Sequence, residues 1–315
     1  MDTSPTDVRP DGMKFSGVII PIVTPFGPDD TIDEVAFAAV IDEMIAAGAS
    51  GIVVGGTTGE YYAMTVDERR RQLEIAATLV AGRATLIAGC TVGGAAAAVD
   101  LACHAAQLGY DAVMLSAPPT SLPTQQELAA YVLLVAEQSA LPVVLYNYPA
   151  RAGVEYGFEC LDLIADHAGV VALKESSGDF SRMIAIRHRY AGRVPLICGS
   201  DDQAFDYMMW GTTAWLAGTA NVLPRQHVAF VETMLAGDVE LARRQFDVLM
   251  PFLQYMESGR YNNKVKGGMN HLGLAVGDVR GPLLALSAAE QRELGAVIDA
   301  TVTAFAALPG SSRPS

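Results

Sequence analysis

About eight short apolar runs alternate with helical stretches between residues 17 and 236, and this alternation constrains the fold more than any other feature of the chain. Each run is apolar along nearly its whole length, as expected of parallel strands covered on both faces. The pattern predicts an α/β fold, the (β/α)8 TIM barrel, whose functional residues lie on the loops after the strands. A doubly wound sheet is the alternative, but it usually carries a fuller glycine fingerprint. The runs span residues 17–26, 52–54, 85–90, 112–116, 142–146, 170–174, 194–198 and 214–217.

After residue 224 the sequence shows helical periodicity and no further strand pattern. Helices are predicted over residues 224–236, 239–257, 263–272 and 288–308. We therefore expect a polar N-terminal arm (1–16), the barrel (17–236), a C-terminal helical extension (237–308) and a frayed tail (309–315).

Composition excludes several classes of partner. The formal net charge of -14 disfavours nucleic acid and anionic membrane surfaces. No run reaches the roughly 20 apolar residues of a membrane helix, and the polar N-terminus lacks the pattern of a signal peptide. The cysteines form no CxxC pair, so we expect free thiols, no metal site and a reduced, cytoplasmic setting.

Lysine is scarce, and one lysine stands at the end of an apolar run. The chain has only Lys14, Lys174, Lys264 and Lys266, and Lys174 closes the run 170–174. A buried ammonium is costly, so such a lysine tends to lose its proton. Unlike arginine, a neutral lysine can act as a Schiff-base nucleophile. The structural alternative is a head group that reaches solvent or pairs with Glu175.

In a barrel the carboxyl ends of all strands share one face, so Thr57, Thr58, Tyr146, Arg151 and Lys174 are expected to converge. Together they suit a 2-oxo acid, because an amine attacks the carbonyl while hydroxyl and backbone N–H groups hold the carboxylate. A phenol can move protons, and arginine can clamp a second carboxylate. Purely structural roles are the alternatives. The loop with Thr57 and Thr58 would be a tight turn, Tyr146 a buried strand tyrosine and Arg151 a solvated loop charge.

Other site types match less well. The glycine-rich segment 55–60 lacks the lysine of a phosphate loop and the full GxGxxG of a dinucleotide site. Asp201 and Asp202 are adjacent and therefore point in different directions, which favours helix N-capping over metal binding. The five histidines show no ligand spacing, and we interpret them as structural.

Several motifs together resemble the dihydrodipicolinate synthase / N-acetylneuraminate lyase family of class I aldolases and dehydratases. These are GTTGE at 56–60, YNYPAR at 146–151, Lys174, GSDD at 199–202 and GTAN at 218–221. The resemblance implies a barrel with a helical extension, a homotetramer and no cofactor other than the covalent imine.

The resemblance also implies a role for each matched residue. Lys174 forms the imine, and Tyr146 moves protons, with Thr58 linking it to solvent or a neighbouring subunit. Thr57 and Thr58 hold the substrate carboxylate, and Arg151 binds the distal end of the substrate. Leu216, before the GTAN segment, is placed against the substrate.

One departure affects the expected reaction. Dihydrodipicolinate synthases carry a tyrosine pair after the fourth strand, and the second tyrosine reaches across a subunit interface; here Thr120 takes its place. The motifs are most similar to L-2-keto-3-deoxyarabonate dehydratases, although those also carry a tyrosine near the position of Thr120. We therefore expect a Schiff-base lyase that dehydrates or cleaves a 2-keto-3-deoxy sugar acid. Alternatives are a dihydrodipicolinate synthase, which condenses pyruvate with aspartate semialdehyde, and a non-catalytic barrel that binds keto acids.

Overall fold

The computed structural model describes residues 13–308. The first twelve residues of the expected N-terminal arm and the whole expected tail lie outside this range. The described strands are β1 Gly17–Pro21, β2 Gly51–Val54, β3 Thr85–Gly89, β4 Ala112–Ser116, β5 Val143–Asn147, β6 Val170–Glu175, β7 Leu196–Cys198 and β8 Ala214–Leu216.

Helices follow the strands and continue beyond the last of them. They are α1 Glu34–Ala46, α2 Val66–Val80, α3 Ala95–Gln107, α4 Gln125–Ser139, α5 Pro149–Ala152, α6 Phe158–Ile164, α7 Phe180–Tyr190, α8 Ala204–Met209, α9 Pro224–Leu235, α10 Val239–Glu257, α11 Tyr261–His271 and α12 Ala288–Ala306. Short 3₁₀ helices lie at Tyr61–Ala63, Asp201–Gln203 and Thr219–Asn221.

The sheet closes on itself, which confirms the predicted barrel. Every strand pairs in parallel with the next along the chain, and β8 pairs with β1. Closure leaves no sheet edge, and it brings all eight carboxyl ends to one mouth. The doubly wound alternative is therefore wrong.

Apolar side chains fill both sides of this sheet. One cluster lies between the strands and the surrounding helices, and a smaller one fills the barrel interior. Val144 and Ala172 belong to the interior cluster. Because strand side chains alternate between the two faces, residues two positions further on also point inward. In β5 and β6 those residues are Tyr146 and Lys174.

The expected element boundaries hold within a few residues except in the first strand and after β5. The first run was expected over residues 17–26, but β1 ends at Pro21. The helix expected over 157–167 ends at Ile164, and a separate short helix, α5, precedes it. Pro149 starts α5, because proline suits the first helical position, and Gly153 ends it in a left-handed conformation with φ +78°. This turn carries Arg151.

The C-terminal extension is tied to the barrel by a buried ion pair. Lys266 of α11 lies 2.6 Å from Glu60, and the two side chains are 1% and 0% exposed. Glu60 also accepts the backbone N–H of Arg280 at 2.9 Å. Lys266 donates further to the Asp278 carbonyl at 2.9 Å. Glu60 lies two residues after Thr58, so the extension helps to hold the loop after β2.

Replacing Lys266 by methionine should lower the free energy of unfolding by about 3–5 kcal/mol, because Glu60 is left buried without its cation. Urea denaturation measures this loss. The double variant with Glu60→Gln should recover part of it, because that substitution removes the buried charge. As a control, Arg243→Ala breaks an exposed ion pair with Glu240 and should cost no more than about 1 kcal/mol. Equal losses of unfolding free energy in Lys266→Met and Arg243→Ala would contradict a stabilising role for the buried ion pair.

Candidate active site

Lys174 and Tyr146 lie side by side at the carboxyl-terminal mouth of the barrel. They are direct partners in the β5–β6 pairing, and both follow inward-facing residues by two positions. The Lys174 nitrogen lies 4.3 Å from the centre of the Tyr146 ring. At this distance the π face of the phenol attracts the ammonium form. The amine is thus held against the ring at the base of the mouth.

The Lys174 amine is suited to nucleophilic attack. Its residue is only 6% exposed, and burial lowers the pKa to about 8, although the negative charges of Asp201 and Glu257 oppose that shift. Burial disfavours the charged form, so a usable fraction of the amine is neutral near neutral pH. This is the activation that a Schiff-base lysine needs.

Glu175 does not neutralise Lys174, so the structural alternative of a Lys174–Glu175 pair is wrong. Glu175 points to the opposite side of β6 and is fully buried there. It accepts hydrogen bonds from Asn147 Nδ2 at 2.9 Å and Arg182 Nε at 3.1 Å. Adjacent strand residues face opposite ways, which separates the two charges.

The loop after β2 brings two threonines to the same mouth. Gly55 turns the chain with φ +73°, a conformation that favours glycine. Thr24 donates its hydroxyl to the Gly59 carbonyl at 2.6 Å, which fixes the loop from the side of β1. Thr57 and Thr58 then face one cavity.

Thr57 is the hydroxyl partner of Tyr146. Their side chains are hydrogen bonded, which opposes the larger upward shift that burial imposes on the Tyr146 pKa. The sequence predicts that Thr58 links Tyr146 to solvent or to a neighbouring subunit. In the structure the threonine that is hydrogen bonded to Tyr146 is Thr57. Thr58 lines the cavity next to it.

Arg151 reaches the cavity from α5. Its guanidinium carbon lies 5.4 Å from the centre of the Tyr148 ring. Arg151 is exposed at the rim, so it can meet the outer end of a molecule whose inner end contacts Lys174. A guanidinium at this point can bind a carboxylate with two hydrogen bonds.

A single cavity of about 340 Å³ collects most of the predicted site. Thr57, Thr58, Tyr146, Arg151 and Lys174 all line it. Leu216 does not: it belongs to the apolar cluster inside the barrel. Its expected contact with substrate stays a prediction, because Leu216 is not among the described residues that line this cavity.

Asp201 acts as an acceptor rather than as a helix cap, which corrects the expected N-capping role. It is 2% exposed and accepts from Trp215 Nε1, Thr219 Oγ1 and the Tyr261 hydroxyl, each at 2.9 Å. These three hydrogen bonds hold the Asp201 carboxylate at the cavity that Lys174 also lines.

The extension supplies one wall of the cavity, which the sequence pattern did not reveal. Glu257, Tyr261 and Asn262, from the end of α10 and the start of α11, line it. A Cβ atom on Gly218 would collide with the Tyr261 hydroxyl, so glycine there makes room for this wall. Burial and the nearby aspartates raise the pKa of Glu257 to about 7.

Thr120 lies on the exposed loop after β4 with φ +68°. It is not among the described residues that line this cavity.

Within residues 13–308 no cluster of three or more His, Cys, Asp or Glu residues could hold a metal ion. Cys90, Cys103, Cys160 and Cys198 are all free thiols. None of the described helices is long and apolar enough to span a membrane.

Comparisons with known proteins agree on one family. The model of the dihydrodipicolinate synthetase family matches residues 14–301. A 4-hydroxy-tetrahydrodipicolinate synthase of Exiguobacterium sp. is 35% identical over 89% of this chain and 96% of its own. One from Agrobacterium fabrum is 34% identical, over 86% and 92%. The solved 4-hydroxy-tetrahydrodipicolinate synthase of Methylacidiphilum fumariolicum superposes with a TM-score of 0.91 at 26% identity, covering 95% and 100%.

Proposed function

The chain belongs to the dihydrodipicolinate synthetase family and is a Schiff-base-forming lyase of the class I aldolase type; on this premise we propose that it condenses pyruvate with an aldehyde, as a 4-hydroxy-tetrahydrodipicolinate synthase does with aspartate semialdehyde. The main support for this proposal is that Lys174, whose pKa is lowered, lies beside Tyr146 in one cavity. The names of the relatives support the synthase, which was the alternative from the sequence, over a sugar-acid reaction.

The proposed reaction starts at Lys174. Its neutral amine attacks C2 of pyruvate, and loss of water from the adduct gives an iminium. The iminium withdraws electrons from C3, so a C3 proton can pass to Tyr146 and leave an enamine. The enamine carbon then forms a bond to the aldehyde carbon, and hydrolysis of the imine releases the product and restores the amine.

Neighbouring groups would hold the reactants during these steps. Thr57 and Thr58, which line the same cavity as Lys174, would bind the pyruvate carboxylate. Arg151 would bind the carboxylate of the second substrate at the rim. The negative charge of Asp201 would stabilise the cationic iminium in a buried site. The covalent imine takes the place of a cofactor.

A second candidate is cleavage or dehydration of a 2-keto-3-deoxy sugar acid. The motif resemblance over residues 55–62, 146–151 and 198–203 supports it. Thr120 does not select between the two candidates, because the sugar-acid dehydratases also carry a tyrosine near that position. The acidic side chains of Asp202 and Glu257 on the cavity wall could accept hydrogen bonds from sugar hydroxyls. All these reactions pass through the same enamine, so Lys174 and Tyr146 would keep their roles.

We also propose a homotetramer, which light scattering in solution can test.

The deciding experiment is borohydride trapping with intact-mass analysis, followed by turnover assays on a panel of substrates. Pyruvate should give a stable adduct on Lys174, and pyruvate with aspartate semialdehyde should turn over. Turnover of a 2-keto-3-deoxy acid without synthase activity would instead support the second candidate. Absence of any adduct would contradict both, and trapping without turnover of any substrate would support a binding barrel.

The rate of imine formation should depend on pH through the Lys174 amine. Only the neutral amine attacks, so with a pKa of about 8 the trapping rate should rise about tenfold from pH 7 to pH 9 and then level off. Stopped-flow mixing with pyruvate measures this. Glu257→Gln should move the midpoint to lower pH, because Glu257 raises the Lys174 pKa. A midpoint near the ordinary lysine value would contradict the assignment.

A further inference from the structure

The charges around the candidate active site do not balance. Arg151 and Lys174 are its cationic side chains, whereas Asp201, Asp202 and Glu257 are acidic. Lys174 is neutral when it attacks a keto acid, so three carboxyl groups then share the cavity with one cation. A ligand that carries only negative charge would increase this excess, and a positively charged group on the ligand would reduce it.

Glu257 and Arg151 carry opposite charges that are not paired with each other. Both line the cavity, but within residues 13–308 neither belongs to an ion pair. Burial and the neighbouring aspartates raise the pKa of Glu257 to about 7, although Arg151 and Lys174 oppose that shift. The cavity thus offers one unpaired cation and one unpaired carboxylate, which a molecule with both kinds of charge can bridge.

Two more side chains of the extension wall can only accept hydrogen bonds from a ligand. Tyr261 donates its single phenolic proton to Asp201 Oδ2 at 2.9 Å. Asn262 donates both amide protons, to the Thr57 carbonyl at 2.9 Å and to the Tyr62 hydroxyl at 2.8 Å. Asn262 is 5% exposed, and its Oδ1 has no hydrogen-bond partner among the described residues. The lone pairs of both oxygens therefore remain for a donor.

An ammonium group matches this wall. It donates three hydrogen bonds and carries the charge that the cavity lacks. The wall offers three acceptors, namely the Glu257 carboxylate, the Tyr261 hydroxyl and Asn262 Oδ1. A hydroxyl group on the ligand would supply one donor and no charge, so it would satisfy less of the wall.

We propose that Glu257, Tyr261 and Asn262 form a subsite that binds an ammonium group of the second substrate. This inference rests on the proposed function and deepens it, because it assigns the residues that select the aldehyde. The carboxylate of the same molecule binds Arg151, and its aldehyde carbon lies toward Lys174. The C-terminal extension, rather than the barrel, thus determines which aldehyde the enamine accepts.

The test compares three aldehydes that differ in one group. Next to the carboxylate, aspartate semialdehyde carries an ammonium, 2-hydroxy-4-oxobutanoate a hydroxyl and succinate semialdehyde only hydrogen. With saturating pyruvate, kcat/KM should be about tenfold or more higher for the ammonium compound, because the other two leave acceptors of the wall unpaired. The assay is run at pH 8, where most of Glu257, with a pKa of about 7, is ionised.

Variants of the wall show whether it causes this preference. Glu257→Gln should lower the kcat/KM ratio of aspartate semialdehyde to succinate semialdehyde about tenfold or more, because a charge-assisted hydrogen bond is lost. Tyr261→Phe should lower the same ratio about three- to tenfold, since it removes a neutral acceptor. Both aldehydes react with one enamine, so a change in the Lys174 pKa cancels in the ratio. Glu240→Gln removes the same charge from an exposed position on the same helix and should leave both values unchanged.

A wild-type preference for the hydroxyl or the hydrogen compound would overturn the subsite, and so would an unchanged ratio in either variant of the wall. The proposed function is tested separately, because borohydride trapping of pyruvate needs no aldehyde. All variants should trap pyruvate in wild-type yield at pH 9, whereas a loss of folding would lower trapping as well. If the wild type traps no pyruvate, or condenses it with no aldehyde, the proposed function itself fails.

Discussion

Replacement of Lys174 by methionine should abolish turnover, with a loss of roughly 10⁴–10⁶-fold, as expected when a covalent nucleophile is removed. Methionine fills a similar volume but cannot form an imine. Borohydride trapping with pyruvate should give no adduct in this variant. Steady-state assays and intact-mass analysis measure the two effects.

The same variant should be folded and more stable than the wild type near neutral pH. The folded-state pKa of Lys174 lies below its unfolded value, at about 8 against 10.5. Folding therefore releases a proton between about pH 8 and pH 10.5. The cost of the buried ammonium is fully present below about pH 8 and disappears above about pH 10.5. Lys14→Met, which changes an exposed lysine, is the matched control and should keep full activity. Turnover near the wild-type rate in Lys174→Met would contradict the imine mechanism.

Replacement of Tyr146 by phenylalanine should lower kcat by about 10²–10⁴-fold, the usual cost of a lost acid–base group. The ring remains against Lys174, so imine formation should persist while proton transfer at C3 slows. Single-turnover trapping and steady-state kcat separate these two steps. Tyr190→Phe removes a phenol that bonds Asp162 and the Phe158 carbonyl outside the mouth, and it should leave kcat unchanged. An unaltered kcat in Tyr146→Phe would remove this residue from the mechanism.

The barrel and the position of its candidate nucleophile were predictable because they depend on local patterns and on closure of the sheet. A buried strand that ends in lysine is visible as an apolar run. Once the barrel is assumed, parallel strands must bring Lys174, Tyr146 and the loop of Thr57 to one mouth. No side-chain geometry was needed for that step.

Other parts of the site depend on geometry that no local pattern encodes. Thr57 and Thr58 are adjacent and chemically identical, so only the turn at Gly55 decides which of them meets Tyr146. Asp201 looks like a helix cap until Trp215 and Tyr261 are seen to donate to it.

The wall formed by Glu257, Tyr261 and Asn262 depends on how amphipathic helices pack over the mouth. Helical periodicity predicts that α10 and α11 exist, but it does not predict where they lie on the barrel. These residues are more than 80 positions from Lys174 in the chain, so no spacing motif connects them to the catalytic lysine.

The contacts between barrel and extension have a consequence for recombination among relatives. Glu60 is matched to Lys266, and Asp201 is matched to Tyr261. A chimera that joins this barrel to the extension of another member keeps these contacts only if that extension carries a lysine and a tyrosine at the positions of Lys266 and Tyr261. Without them, the crossover alters the candidate active site as well as the junction between barrel and extension, although the two parts look separable in sequence.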